Sequence, residues 1–250
     1  MRIELAEGVD PVGAIGGCGY RLVEGGEFVL DGAAARAFAE FRGAWDDLAL
    51  DAYLPGGASY RWRRHAKFLV TAAAGPSRLH GTGYRQTAEA NPLLGGRVRE
   101  LAPFRDAQAT NPFFVALVRH DAALFDACAG PSAPSAWEVD AHLVRVTARP
   151  GTPGRPSPEG RHRDGFDYIA LHHVARHNVT GGHTSLHTPS GELLAERTFT
   201  APLDTLYAED ARILHDVTPL APGPEPGPGH RDMLLMSFTR TTELTAPAPG

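Results

Sequence analysis

Lysine is almost missing from this chain. Lys67 is the only one, so nearly all of the 24 basic residues are arginine. Alongside so much alanine, glycine and proline, this bias lowers the meaning of any single arginine. Cysteine is equally scarce: Cys18 and Cys128 stand far apart and in no metal-ligand spacing. That excludes a disulfide framework and reads as two reduced thiols. Apolar runs of membrane-spanning length are also lacking, and the N-terminus carries no h-region of a signal peptide. The expectation is a soluble, cytoplasmic chain without a membrane partner. A net charge of −5 gives no pull toward nucleic acid.

What is present is a globular composition in 250 residues, the size of one domain. Residues 13–19, Gly-Ala-Ile-Gly-Gly-Cys-Gly, fail the G-x-G-x-x-G spacing and read as a glycine-rich loop or turn. From Gly32 to Leu50 the apolar stripe Phe38, Phe41, Trp45 predicts an amphipathic helix, with Asp31 as its N-cap. Residues 60–72 alternate as a strand. Its basic cluster Arg61, Arg63, Arg64 and Lys67 reads as a solvated or anion-facing face, because no nucleic-acid stripe accompanies it. Tyr84, Gln86 and Asn91 form a dense polar stretch. Residues 112–128 form the clearest helix, capped by Asn111, begun by Pro112 and ended by Gly130.

Beyond residue 136 the period changes from helical to two. Strands are expected at 137–149, 167–176, 179–188, 192–200, 203–208, 211–217 and 231–240, with turns at Gly181-Gly182, Ser190-Gly191 and the Pro/Gly tract 219–229. Arg145 interrupts an apolar strand and, if buried, calls for a carboxylate. The expected fold is α+β: one domain over 1–250, with a helical and mixed half (1–135), a jelly-roll core (136–242) and a loose tail (243–250). The N-terminal helices are expected to pack on one sheet.

The chemistry is concentrated in Arg161-His162-Arg163-Asp164-Gly165. On an extended strand, His162 and Asp164 point to one face. His215 follows on a later strand. Two imidazoles and one carboxylate with open positions form the facial triad that holds Fe(II) in oxygenases. A lone H-x-D is common, and His215 alone could be a core histidine; the joint pattern carries the reading. Arg231 opens the next strand, where its planar fork suits the far carboxylate of a 2-oxo acid. Five further histidines, at 172, 173, 177, 183 and 187, read as sheet-surface residues or as supports for the ligands, since no Cys or Glu completes a zinc set.

Several ordered stretches together resemble the bacterial L-isoleucine dioxygenase group of Fe(II)- and 2-oxoglutarate-dependent amino-acid hydroxylases. They are Pro158-Glu-Gly-Arg-His162-Arg-Asp164-Gly, Arg176-His-Asn-Val-Thr-Gly-Gly182, Pro202-Leu-Asp-Thr-Leu206, His215-Asp-Val-Thr-Pro219 and His230-Arg231-Asp-Met. Tyr84-Arg-Gln86 through Pro103 and Trp137–Arg145 share the likeness, which covers most of residues 60–240. It implies a double-stranded β-helix, Fe(II) on His162, Asp164 and His215, and 2-oxoglutarate on Arg231, with O2 as second cosubstrate. The carboxylate of Asp164 then favours hydroxylation, desaturation or ring closure over halogenation. A free amino acid is the expected small-molecule substrate. Arg145, Tyr84 and Gln86 are its candidate contacts. A protein-bound or carrier-bound residue as substrate, or a non-catalytic metal-binding jelly roll, are the alternatives.

Overall fold

The computed structural model of the chain describes residues 1–71, 74–81, 83–91, 93–130 and 136–242. The tail expected over 243–250 lies outside the described residues. The elements run β1 (Ile3–Leu5), α1 (Pro11–Cys18), β2 (Tyr20–Val23), β3 (Phe28–Leu30), α2 (Gly32–Phe41), β4 (Ala49–Leu50), β5 (Arg61–Thr71), β6 (Gly75–Leu79), β7 (Tyr84–Arg85), β8 (Val98–Arg99), α3 (Asp106–Ala109) and α4 (Pro112–Ala129). They continue β9 (Ala136–Ala148), β10 (Tyr168–His177), β11 (Val179–Gly181), β12 (His183–His187), β13 (Leu193–Thr198), β14 (Thr205–Glu209), β15 (Leu214–Val217), β16 (Leu220–Pro222) and β17 (Gly229–Arg240).

Antiparallel pairing dominates. One large sheet has the order β2-β14-β10-β17-β9-β5-β4, with β6 also paired to β5. A smaller sheet has the order β13-β12-β15, and β1-β3, β7-β8 and β11-β16 form short ribbons. The large sheet therefore draws strands from both halves of the chain.

Alternation along its strands separates two cores. Ala66 and Phe68 of β5, Val139, Ala141 and Leu143 of β9, and Leu234, Met236 and Phe238 of β17 share one buried cluster with Phe113, Phe114, Leu117 and Phe125 of α4 and with Phe41 of α2. Their strand neighbours face the other way. Ile169, Leu171, Leu206 and Met233 share a second cluster with Leu186 of the smaller sheet, Phe199 and Ile213.

Local chemistry accounts for the helices. Asn111 caps α4, accepting from the N–H of Phe113 at 2.9 Å, and Pro112 fills the first turn where no N–H is needed. Asp31 caps α2 by accepting from Ala34 at 2.7 Å; the helix ends at Phe41 and tightens into a 3-10 turn over Arg42–Asp46. The loop expected over 13–19 is instead helix α1. Asp10 accepts from the N–H of Gly13, Pro11 starts the helix, and Gly19 ends it in the left-handed conformation. The caps outweigh the poor helix propensity of its glycines.

Polar groups are also buried on both faces of the large sheet. His172 and His173 are fully buried, not on the sheet surface as expected. Asp121 of α4 explains the first: its carboxylate lies 2.9 Å from Nε2 of His172 and accepts the Tyr207 hydroxyl at 2.8 Å. Nδ1–H of His173 donates to the Ala201 carbonyl at 2.8 Å. Among the described residues, no helix is long and apolar enough to cross a membrane.

Candidate metal centre

His162 does not open a regular strand. It makes a single bridge to His215, each backbone N–H donating to the other's carbonyl, at 3.0 and 2.8 Å. Strand β10 begins only at Tyr168. The turn between them is held by Asp210, which accepts the backbone N–H groups of Asp164, Gly165 and Phe166 at 2.9, 2.6 and 3.0 Å. Gly165 has φ +87°, and a Cβ there would meet Ala90 at 2.8 Å, so glycine suits this turn on both counts. Burial and the neighbouring charge of Asp164 push the Asp210 carboxyl up to about 6.

The bridge sets the two imidazole rings 4.5 Å apart, centroid to centroid. A carbonyl can only accept, so the 2.9 Å contact to Gly160 O places a proton of His162 on Nδ1 and leaves Nε2 as the nitrogen turned to Asp164. Nε2 of His162 and Nε2 of His215 lie 3.5 and 3.9 Å from Oδ1 of Asp164. One ligand atom from each of the three residues falls within 4.8 Å of the others. Nε2 of His215 is buried with no hydrogen-bond partner among the described residues. Two imidazole nitrogens, one of them orphaned, beside a carboxylate form a donor set that suits a divalent cation.

The electrostatics agree. Burial pushes His162 down, but the Asp164 and Glu159 carboxylates outweigh it and raise the ring to about 9. Burial and the charge of His162 push His215 down to about 4. Asp164 stays below the usual carboxylate range, because the two imidazoles offset its burial. The Asp164 and Glu159 carboxylates thus draw positive charge into this spot, which a divalent cation would supply while leaving both rings neutral.

These side chains open on a cavity floored by the large sheet. The pairing register aligns Arg61, Val146 and Arg231 in one row across β5, β9 and β17, with Arg63, Val144 and Met233 in the next row on the same face. Arg231 is buried, its Nε has no partner among the described residues, and its guanidinium sits 5.8 Å from the Phe199 ring. Burial and nearby Arg176 lower it to about 10. Its donors face the cavity that His162, Asp164 and His215 also line.

Tyr84, Gln86 and Asn91 line the same cavity. Gln86 braces Asp164, donating to its backbone carbonyl at 3.1 Å while accepting from Asn91 and Arg99. The Tyr84 ring packs on His142 at 4.4 Å and under the Arg99 guanidinium at 4.7 Å. Arg145 is a correction. Its neighbours Val144 and Val146 face the cavity, so alternation turns Arg145 away from it. There it forks onto Asp232, with both contacts at 2.8 Å. Arg61 and Arg63, expected on a solvated or anion-facing strand, are buried in the cavity wall. Sequence reasoning passed over Asp210, Glu159, Arg99 and His142. Only Glu159 carried a signal, since it lies three residues before His162.

A family model described as 2OG-Fe dioxygenase matches residues 42–237. The 3(1)-hydroxy-L-isoleucine 4-dioxygenase of Pantoea ananatis is 27% identical over 228 residues, 91% of each chain. The crystal structure of a bsmA homolog from Methylobium petroleophilum superposes with a TM-score of 0.81 at 30% identity, covering 95% of this chain and 94% of the other. IDO from Bacillus thuringiensis shares the fold, with a TM-score of 0.76 at 19% identity over 95% of this chain and 99% of its own. The mostly antiparallel sheets of this chain are those of the jelly-roll fold that 2OG-Fe oxygenases share. This chain belongs to the 2OG-Fe dioxygenase family and is a non-haem iron enzyme that uses Fe(II), 2-oxoglutarate and O2.

Proposed function

We propose that the enzyme oxidises an unactivated C–H bond of a free L-amino acid, most simply by hydroxylation. In this reading His162, Asp164 and His215 hold Fe(II), and Arg231 holds the far carboxylate of 2-oxoglutarate. One observation carries it: three converging ligand atoms share a single cavity with the buried Arg231, whose Nε has no partner among the described residues. The substrate class is supported by the Pantoea ananatis relative, whose name gives it a hydroxylated isoleucine. The buried lining also favours a small molecule over a protein side chain. The helices behind the large sheet serve as its rigid backing.

When bound, Fe(II) would activate O2, the oxidant, with 2-oxoglutarate giving two of the electrons and the substrate C–H bond the other two. The chain's own residues do the rest. The Gly160 carbonyl fixes the tautomer of His162. Asp210 and Gln86 hold the backbone of Asp164, so its carboxylate stays aimed at the two rings. Arg231 offers a fork that a dicarboxylate fills from one direction. Leu171, Met233, Leu235 and Val217 line the cavity and keep water from the reacting bond. The test is a panel of L-amino acids with purified enzyme, Fe(II), ascorbate and 2-oxoglutarate. Succinate formed in step with a +16 or −2 product supports the reading, and 2-oxoglutarate turnover that no amino acid stimulates contradicts it.

A further inference from the structure

Arg61 and Arg63 stand in the cavity wall without a part in the chemistry above. They project from alternate positions of β5, two strands from Arg231. Neighbouring strands are ~4.8 Å apart, so the row through Arg61 and Arg231 separates their backbones by roughly 10 Å. That leaves room for two anionic groups side by side.

The counter-charge is short. Nε–H of Arg61 donates to Oδ2 of Asp51 at 2.9 Å, and Nε of Arg63 lies 3.2 Å from that same oxygen. Nη2 of Arg63 has no partner among the described residues, although the side chain is only 8% exposed. Arg99, also lining the cavity, meets Gln86 rather than a carboxylate. Burial and the charge of Arg61 lower Arg63 to about 9, as befits a cation with too little negative charge nearby. Buried donors without acceptors are costly, and an anionic ligand would satisfy them.

A complementary group lines the same cavity. Glu159 is 10% exposed at its side chain, and its Oε2 is buried with no hydrogen-bond partner among the described residues. Its other oxygen lies 3.3 Å from Nε2 of His162, next to the metal centre. A guanidinium with an open Nη2 and a carboxylate with an open Oε2 in one enclosure match the two ends of a zwitterion.

We propose that Arg63, backed by Arg61, takes the α-carboxylate of the substrate and that Glu159 takes its α-ammonium group. The assignment rests on the amino-acid reading above. It makes these residues the determinants that admit free α-amino acids and reject their amides and deaminated analogues. No bond is made or broken by them.

The test is calorimetric titration of the full chain loaded with Mn(II) and 2-oxoglutarate, without oxygen. The probes are L-isoleucine, L-leucine and L-valine, then the amide and the deaminated acid of whichever binds tightest. Wild type should prefer the amino acid to its amide by about 30-fold or more, the effect of losing one partner of a buried charge pair. Arg63→Met should weaken amino-acid binding by about the same factor and abolish that preference, with 2-oxoglutarate binding unchanged. Glu159→Gln should abolish the preference over the deaminated acid while keeping Mn(II). An intact acid-to-amide preference in Arg63→Met overturns the carboxylate assignment, and loss of Mn(II) instead of ammonium selectivity overturns that of Glu159. If Arg63→Met does not fold, Arg63→Lys, which keeps the charge and loses the fork, decides by the same ratio. Failure of wild type to bind any of the amino acids overturns the amino-acid reading, and the clamp with it.

Discussion

His162 and His215 exchange backbone hydrogen bonds, so the loop that carries His162 is fastened to β15, the strand that carries His215. The pair behaves as one unit: a shift of either segment moves both imidazoles. The residues that hold these two segments should therefore matter for metal affinity almost as much as the rings.

Asp210 is the first such residue. Asp210→Asn keeps one acceptor but cannot serve three backbone N–H groups equally well. Mn(II) affinity should fall by about 10–100-fold, the usual effect of losing a supporting partner. Calorimetric metal titration checks this, and an unchanged affinity would detach Asp210 from the centre.

Arg231→Met should raise the apparent KM for 2-oxoglutarate by about 30-fold or more, since the far carboxylate would lose a buried fork. Steady-state kinetics with saturating amino acid reads this directly. A shift in the amino-acid KM alone would assign Arg231 to the other ligand.

Arg145→Ala should leave both KM values alone and lower stability. Asp232, 3% exposed, would lose its fork, and Arg145 is itself 22% exposed. The expected cost is about 2–3 kcal/mol, somewhat below that of breaking a fully buried pair. Urea unfolding beside kinetics separates the two effects.

Asp121 gives stability a pH dependence. Burial pushes its carboxyl up, but the charge of His172 and the hydrogen bonds from His120 and His172 outweigh this and hold it below its ordinary value. A depressed folded value contributes stability that is complete above the unfolded pKa of about 4 and is lost as pH falls through the folded one. Wild type should thus lose stability more steeply than Asp121→Asn below about pH 4. Chemical denaturation at stepped pH measures it.

Much of the fold was legible because its signals are local. Asn111, Pro112 and Gly130 bound α4 wherever it packs, and Gly181-Gly182 and Ser190-Gly191 punctuate the strands. What escaped was set by non-local contacts or masked by composition. The glycines of α1 hid the caps at Asp10 and Gly19. His172 looked like a surface residue, because nothing near it in sequence foretells that α4 brings Asp121 to its ring. Arg145 sits among apolar residues that alternate between two covered faces, so only the register with β17 reveals Asp232 beside it. Spacing offered His162, Asp164 and His215 as a set; their convergence depends on a bridge between a loop and β15 that no local pattern announces.

Metal titration of wild type against His215→Ala and Asp164→Ala, by calorimetry with Mn(II), decides whether these side chains hold the ion. Wild type should bind one ion per chain, and each variant should lose more affinity than the about 10–100-fold that removing a supporting partner costs. Unchanged stoichiometry and affinity in both variants would place the ion elsewhere and contradict the account.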